Sequence, residues 1–331
     1  MASTTTVLAL ADQQRRGNPW ARYLGRRAMY FVVSLVLLVT LAFLLVQLIP
    51  GDPARASAGE MASADAVEAR RVELGLDQPV VVQYLRFWQG LLTGDLGDSF
   101  TSRTPVIDVL TTRAPATLEL ALIAVAVVLI IAVPVGLIFG ALTRGQRRPG
   151  VEAGFTTVSA IIAVIPEFLA GIVFVYLFAV NVQWLPVAGR SDASSYVLPV
   201  LALAIGPAAA LARIVRAETL SVLDQDYVRT ARAKRMSAGR LYRRHVLPNL
   251  LTSTLTISGL LLGGMIAGTV LVENIFAWPG LGSTIVNSIQ GKDYPLVQAI
   301  IIFYGACVLL INLVVDIILI TVDPRTALDA S

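Results

Sequence analysis

Long runs of apolar residues without charge dominate the chain and predict its secondary structure. A helix needs about 20 apolar residues to cross the roughly 30 Å hydrocarbon core of a membrane. Six runs meet this length, with approximate bounds 28–49, 120–143, 159–180, 193–212, 246–272 and 295–322. We therefore predict six transmembrane helices, the third interrupted by Glu167 and the sixth containing Asp316.

The first apolar run has a second interpretation, as a cleaved signal peptide. Ala54-Arg55-Ala56 resembles a small-residue cleavage site. The run is 22 residues long, whereas the apolar core of a signal peptide usually has about 7–15 residues. We favour a membrane anchor.

Basic residues between the runs indicate the orientation of the helices. If the N-terminus is cytoplasmic, 18 of the 26 Lys and Arg residues lie in cytoplasmic segments and 8 lie outside. Cytoplasmic loops carry an excess of these residues, so both termini are predicted inside. The predicted segments are a cytoplasmic tail 1–24, a first span 25–50, an extracytoplasmic segment 51–116, a transmembrane core 117–322 with a cytoplasmic loop 213–248, and a cytoplasmic tail 323–331.

Composition supports an all-α polytopic membrane protein. The chain is 56% hydrophobic and 15% charged, with a mean hydropathy of +0.73 and a net charge of +4; soluble domains carry roughly a quarter charged residues. The positive charge lies between apolar runs, where it orients helices rather than binding nucleic acid. Cys307 is alone and His245 is the only histidine, so neither a disulfide within the chain nor a metal site is expected.

The extracytoplasmic segment contains helix and turn signals. Ser63 can cap a helix that runs to about Leu74, and Pro79 opens a second helix through Trp88. Gly94-Asp95-Leu96-Gly97 predicts a turn. The segment is either a small cap over the outer mouth or a docking surface for an external partner.

The long cytoplasmic loop alternates small and basic residues over 229–235. Met236 and Leu241 follow. This pattern predicts a short helix along the membrane surface, with a small-residue face and a cationic rim. Such a helix could fit a groove of a cytoplasmic partner; the alternative is an ordinary positive-inside loop.

Short motifs occur in order from about residue 24 to 325. They are Pro50-Gly51-Asp52-Pro53, Leu74-Gly75-Leu76-Asp77-Gln78-Pro79, Gly94-Asp95-Leu96-Gly97, Asp226-Tyr227-Val228-Arg229-Thr230-Ala231-Arg232-Ala233-Lys234, Glu273-Asn274-Ile275-Phe276, Trp278-Pro279-Gly280-Leu281-Gly282, Asp293-Tyr294-Pro295, Asn312-Leu313-Val314-Val315-Asp316 and Asp323-Pro324-Arg325. In these the chain resembles permeases of binding-protein-dependent ABC importers, and more narrowly the first permease of the dipeptide/oligopeptide branch.

The resemblance implies a type I ABC importer permease fold in the cytoplasmic membrane of a bacterium, moving dipeptides or oligopeptides by alternating access. It implies a second related permease, two ATPase subunits and an extracytoplasmic peptide-binding protein as partners. Relatives in this branch also handle nickel complexes or glutathione, so these cargoes stay open. The chain itself is expected to be non-catalytic and to bind no cofactor, with ATP and Mg²⁺ in the partner subunits. Its only Gly-Lys pair, Gly291-Lys292, lacks the following Ser or Thr of a phosphate-binding loop.

The resemblance also implies an ATPase-coupling loop. Its residues are Asp226, Tyr227, Arg229, Thr230, Ala231, Arg232, Ala233, Lys234, Arg235 and Met236. In this interpretation Arg232 and Lys234 contact carboxylates of the ATPase, and Ala231 and Ala233 allow close approach. Arg235 stands where that branch has glycine; arginine fits that turn if φ stays negative, so the backbone path there is open.

A second group of residues is predicted near the outer gate and the substrate path. Trp278-Pro279-Gly280 predicts a tight turn with proline and glycine at the two central positions, and with Phe276 it would dip toward the outer gate. The alternative is an ordinary external turn. Lys292 and Asp293 are hypothetical contacts for the binding protein.

Polar residues within the spans complete the predicted sites. Glu167 follows Pro166, so a proline-bent helix would aim its carboxylate at the cavity, either toward the amino terminus of a peptide or as a structural carboxylate. Asn312 and Asp316 are predicted to have a structural role in helix packing, with a partner contact as the alternative for Asp316.

Two other functional classes were weighed. A polytopic membrane enzyme would need paired catalytic groups, but Glu167 and Asp316, taken as the only acids within spans, should lie at different depths. An ion channel or secondary transporter would have no use for the compact small-and-basic loop.

Overall fold

The computed structural model describes residues 19–59 and 61–322. Within them the regular structure is helical, apart from one isolated bridge between Asp98 and Pro105. The α-helices are α1 Pro19–Gln47, α2 Pro53–Ala58, α3 Ala64–Glu73, α4 Val80–Thr93, α5 Val106–Thr143, α6 Pro149–Val164, α7 Glu167–Phe174, α8 Val197–Leu223, α9 Asp226–Ala233, α10 Ala238–Leu241, α11 Leu247–Ile275, α12 Leu281–Gln290 and α13 Tyr294–Val322. We call the span ends predicted to be cytoplasmic inner, and the opposite ends outer.

Five of these helices are long and apolar enough to cross a membrane: α1, α5, α8, α11 and α13. The consecutive pair α6 and α7, with the helical turns that continue to Asn181, passes the same test jointly and is bent by 92° at its break. The prediction of six spans is therefore confirmed when the bent pair counts as one span.

The break in the third span follows from Pro166. Ile165 leaves helical geometry, with φ −67° and ψ 120°, because a proline ring disfavours the helical conformation of the residue before it. Pro166 itself offers no N–H to continue the ladder. The chain resumes as α7 at Glu167 and continues as a π-helix over Val175–Asn181. The predicted proline bend is present, and it is sharp enough to divide the span.

The second and fourth spans approach each other through small residues. A Cβ atom on Gly136 would lie 2.6 Å from Cβ of Val215, and one on Gly140 would lie 2.7 Å from Cβ of Thr219. Glycines four residues apart allow this close approach of two helix backbones in a membrane. Helices α5 and α8 therefore form one tightly packed pair that connects the outer and inner ends of the protein.

The second span starts earlier than predicted, at Val106 instead of near Leu120. The charges of Asp108, Arg113 and Glu119 interrupt the apolar pattern there, although the helix itself continues through them. The outer part of α5, about four turns, therefore carries charged residues beside the extracytoplasmic segment.

The extracytoplasmic segment folds against the outer parts of the first and sixth spans. The Ser63 hydroxyl accepts a hydrogen bond from the Ala66 amide at 3.3 Å, so it caps α3 as predicted. The second predicted helix, α4, extends past Trp88 to Thr93 and ends at Gly94, whose φ is +78°. Apolar side chains of α4 pack on Val39, Ala42 and Ile302. The segment is thus an ordered cap on the outer side.

The sixth span is tied to the first at its inner end. Asp316 forms an ion pair with Arg27 at 2.9 Å. This contact agrees with the structural role predicted for Asp316. Asn312 is exposed on the same helix, so its predicted role in helix packing stays a prediction.

Candidate functional site

The predicted coupling helix is present as α9, Asp226–Ala233, and it begins three residues earlier than the predicted start at Arg229. Val228 and Ala231, three residues apart, are buried in the main apolar core. The charged side chains lie on the remaining surface, and those exposed are Asp226, Arg229, Arg232 and Lys234. Thr230 and Ala233 are exposed too, and the ring of Tyr227 is partly exposed, 6.0 Å from that of His245. Arg229 pairs with Asp226 within the helix at 3.4 Å. Two apolar side chains thus anchor a helix whose charged side chains remain exposed.

The predicted role of Ala231 is corrected by this arrangement. Ala231 is 6% exposed and packs inward against its own chain, so it is not available for close approach by a partner. Ala233 remains on the exposed side, and Met236 is half-buried beside the core.

The turn that ends α9 has a left-handed backbone conformation, which favours glycine, at Arg235. Arg235 has φ +56°, not the negative φ that would accommodate arginine without strain. The Arg235 amide donates to the Arg232 carbonyl at 2.9 Å, and the Met236 amide donates to the Ala231 carbonyl at 3.2 Å. This pair of hydrogen bonds is a Schellman motif, which normally places glycine at the left-handed position. Arg235, which stands where the importer branch has glycine, therefore keeps the backbone path of that turn but adopts a strained conformation.

A basic cleft of about 690 Å³ lies beside α9. Arg144, Arg147 and Arg232 line it. Arg144 pairs with Asp224 at 3.0 Å and donates to the Leu223 carbonyl at 2.8 Å. These contacts tie the inner end of α5 to the turn that leads from α8 into α9. Tyr242 also lines the cleft, and burial raises the pKa of its phenol.

A second inner ion pair supports the same end of the molecule. Arg216 on α8 contacts Glu152 on α6 at 2.6 Å, and its Nε donates to the Thr143 hydroxyl at 3.1 Å. The inner ends of the second, third and fourth spans are therefore held together next to α9.

The loop after the fifth span is closed, which corrects the predicted roles of Phe276 and Trp278. Both side chains are fully buried within the chain. The indole Nε1 of Trp278 donates to the Ala116 carbonyl at 3.0 Å, and its ring makes an edge contact with Tyr196. Neither aromatic side chain lines a path that a peptide could enter in this conformation.

The predicted turn in this loop is also different. The Gly280 amide donates to the Trp278 carbonyl at 2.8 Å, which closes a three-residue turn centred on Pro279. Gly280 has φ −109° and ψ −172°, so it does not occupy the second central position of a β-turn. It is instead the residue from which α12 starts.

Glu273 organises this loop, and its role was not predicted from the sequence. Its fully buried carboxylate accepts hydrogen bonds from the Thr117 hydroxyl at 2.6 Å, the Gly282 amide at 2.7 Å and the Ser283 amide at 3.2 Å. The Thr117 hydroxyl also accepts from the Leu281 amide at 2.9 Å. The carboxylate thus satisfies free amides at the start of α12, where the helix dipole favours negative charge.

The position of Glu273 also contradicts the expectation that Glu167 and Asp316 are the only acids within spans. Glu273 lies in the last turn of α11, just beyond the predicted apolar window. An acid at the end of an apolar run followed by Gly280 and Gly282 was the available signal, since a Cβ atom on these glycines would lie 2.3 Å and 2.9 Å from the Glu273 carboxylate.

A polar clasp holds the outer ends of the second and fourth spans around Trp278. Arg190 pairs with Glu119, and its Nε donates to the Tyr196 hydroxyl at 2.8 Å. The guanidinium also lies 5.9 Å from the centre of the Trp278 ring, within the range of a cation–π contact. The hydrogen bond with Tyr196 raises the pKa of Arg190 above its usual value. These long-range partners carry no local motif.

Asp293 is not available to a binding protein, contrary to the hypothesis above. Its carboxylate is buried and accepts from the Phe100 amide at 3.0 Å and the Thr101 amide at 3.3 Å, besides the Ser99 hydroxyl. It fixes the loop before α5 to the start of α13. The neighbouring Lys292 side chain is half-buried against Gly51.

Glu167 is the first residue of α7, directly after the break in the third span. Its half-buried carboxylate lies against Gly268 of α11. The structure therefore places the carboxylate between the third and fifth spans at a break in the backbone, while Asp316 is engaged with Arg27 in a different helix pair.

Two family models match this chain over most of its length. The model for the binding-protein-dependent transport system inner membrane component matches residues 132–328, and its N-terminal companion matches residues 20–121. The chain belongs to this family. It is a permease subunit of an ABC importer and a multi-pass protein of the inner membrane.

Individual relatives agree with the family models. A protein of Brucella abortus (strain 2308), named as a peptide transport system permease, is 39% identical over 312 residues, covering 92% of this chain and 98% of the relative. A glutathione transport system permease of Escherichia coli O6:H1 is 37% identical over 302 residues, covering 91% and 97%. A structure of the MetNI methionine ABC transporter in inward-facing conformations matches with a TM-score of 0.58 at 18% identity, covering 65% of this permease and 97% of that chain. At that identity the likeness concerns the fold.

Proposed function

We propose that this permease moves short peptides into the cell by alternating access, driven by two ATPase subunits that contact α9. The observation that carries the proposal is the exposed charged face of α9, which Val228 and Ala231 anchor from beneath. A second related permease and an external binding protein complete the assembly. ATP and Mg²⁺ bind in the ATPase subunits, and this chain supplies neither catalytic groups nor a cofactor site.

The position of α9 in the chain supports its role in coupling. It follows α8 after two residues and precedes α11 through α10, so displacement of α9 by the ATPases would tilt the fourth and fifth spans. Arg232 and Lys234 would meet carboxylates of the ATPase. Such motion drives transport only if the cargo binds the inward-facing and outward-facing states differently.

The relatives support a peptide as cargo. One is named for peptides and another for glutathione, itself a tripeptide. Glutathione is therefore the second candidate cargo. Uptake of labelled trialanine, glutathione and a nickel–histidine complex by cells that express the transporter distinguishes these cargo classes.

Glu167 is the proposed contact for a peptide amino group deeper in the path. Its carboxylate lies at the break between α6 and α7, where a span that is discontinuous exposes backbone polar groups inside the membrane. Replacement by glutamine should lower peptide uptake without loss of assembly, whereas unchanged uptake would leave Glu167 with a structural role.

Charge reversal on α9 tests the coupling role. The double variant Arg232→Glu/Lys234→Glu should fold, insert and assemble, yet hydrolyse ATP without peptide uptake. Arg148→Glu/Arg240→Glu is the matched control, because both residues are exposed and predicted to be on the same side but lie outside α9. Wild-type uptake in the α9 variant would contradict the proposed coupling.

Purification from the native membrane in mild detergent tests the assembly itself. The ATPase subunits and a second permease should co-purify with this chain, as identified by mass spectrometry. A chain that purifies without any ATPase would favour a channel or secondary transporter instead.

A further inference from the structure

A cleft opens on the outer side of the molecule, away from the buried loop that the sequence motifs indicated. It has a volume of about 520 Å³ and lies between the outer turns of α5 and the helix α12. The loop 99–104 and the start of α13 close its other sides. Only two of its lining residues, Val109 and Leu296, are apolar.

Two opposite charges face this cleft from the same helix. Asp108 and Arg113 both line it and are exposed. Among the residues that the structure describes, neither side chain has an ion-pair or hydrogen-bond partner. Five residues apart on an α-helix, the two positions differ by about 7.5 Å along the axis and by about 140° around it, so the two side chains flank the cleft and form no ion pair with each other.

The opposite wall offers hydrogen bonds without charge. Thr284, Asn287 and Ser288 follow helical spacing and line the cleft from α12. Thr112 lies between the two charges on α5. The Thr284 and Ser288 hydroxyls donate to the Gly280 and Thr284 carbonyls, so they can accept from a peptide amide, while the Asn287 amide can both donate and accept. None of these groups selects a side chain.

The geometry points to this cleft as the outer receiving site for short peptides with both termini free. Asp108 binds the terminal ammonium group, Arg113 binds the terminal carboxylate, and α12 contacts the peptide backbone. An extended chain of two or three residues spans about 7–11 Å, the same order as the axial rise between the two positions. This inference rests on the proposed peptide function and names the part of the permease that recognises the cargo.

Asp108 could instead serve only the helix dipole, since it lies in the first turn of α5. An acid at that position stabilises a helix through its dipole. Asp65 occupies the first turn of α3, is exposed and does not line the cleft. Asp65→Asn is therefore the matched control for Asp108→Asn. For Arg113→Gln the control is Arg55→Gln, an exposed external arginine outside the cleft.

The test uses the complete transporter with its binding protein, reconstituted in proteoliposomes. Maximal uptake rates are measured at saturating trialanine, N-acetyl-trialanine and trialanine amide. Asp108→Asn should lower the trialanine rate about fivefold to tenfold and leave the N-acetyl-trialanine rate unchanged, because a charge-assisted hydrogen bond to the ammonium group is lost. Arg113→Gln should lower the trialanine rate similarly and leave the rate of the amide unchanged. Asp108→Glu should retain most uptake.

Each contrary outcome has a distinct meaning. Unaltered trialanine rates in both variants, with normal wild-type uptake, would overturn the cleft assignment and leave the peptide function standing. Equal losses for all three peptides, or equal losses in the control variants, would indicate a structural defect and also overturn it. No trialanine uptake by the wild type would overturn the peptide cargo together with the cleft.

Discussion

The loop after the fifth span buries most of its motif side chains, whereas the loop before that span exposes most of its motif side chains. In the outer loop, Phe276 and Trp278 are fully buried and Glu273 is enclosed by donors of its own chain. In the inner loop, Arg232 and Lys234 are exposed, and among the residues of α9 only Val228 and Ala231 are buried. A recognisable motif therefore does not say by itself what its residues do. Buried motif residues stabilise the fold, whereas exposed motif residues are available to a partner.

Truncation of one aromatic residue in each loop should give the largest contrast. Trp278→Ala should destabilise the permease by about 3–5 kcal/mol, because it leaves a cavity and removes the donor to the Ala116 carbonyl. Tyr227→Ala on α9 should change stability by less than about 0.5 kcal/mol, since its ring is partly exposed. Thermal unfolding in detergent measures both. Equal losses would remove the distinction between the two loops.

Neutralising the buried carboxylate tests what closes the outer loop. Glu273→Gln should cost about 2–3 kcal/mol, because an amide replaces charge-assisted acceptance from Gly282 and Ser283 and presents N–H groups toward the Thr117 hydroxyl. Glu68→Gln on the exposed face of α3 is the control and should be nearly silent. A Glu273→Gln variant as stable as the wild type would mean that the carboxylate does not hold α12.

The helix pair that connects the two regions is tested by adding a methyl group. Gly136→Ala should destabilise by about 1–2 kcal/mol, because the new Cβ would lie 2.6 Å from Val215 and 2.7 Å from the Ala212 carbonyl. Gly264→Ala in the fifth span has no neighbouring atom within 4 Å and should be neutral or slightly stabilising. If both variants unfold at the same temperature as each other, the close approach of α5 and α8 does not limit the stability of the permease.

The smallest expected effect has the opposite sign. Arg235→Gly should stabilise the permease by about 0.5–1 kcal/mol, because glycine adopts the positive φ at this position without the strain that arginine carries. Arg243→Gly, in the π-helical turn Tyr242–Val246, should instead destabilise by up to about 1 kcal/mol. Thermal midpoints distinguish the two signs, and a loss of stability in Arg235→Gly would show that the arginine side chain contributes more than its backbone strain costs.

Span lengths and local helix signals were determined by the sequence alone. Six apolar runs, the Ser63 cap, the bend at Pro166 and the short helix around Arg229 were all predictable, because each depends on neighbouring residues and on the fixed thickness of a membrane. The family, too, follows from ordered local motifs. The predicted bounds of a helix were wrong where charged residues interrupt its apolar pattern although the helix continues through them, as at the start of α5.

The tertiary structure decided which motif residues are accessible and which distant groups meet. Glu273 and Thr117 are far apart in the chain, as are Arg190 and Glu119, and no local pattern reports their contact. The same holds for the cleft between α5 and α12, whose charged residues Asp108 and Arg113 lay outside the predicted span. Burial and pairing depend on how helices pack across long sequence separations, and periodicity within one helix carries no information about its neighbour.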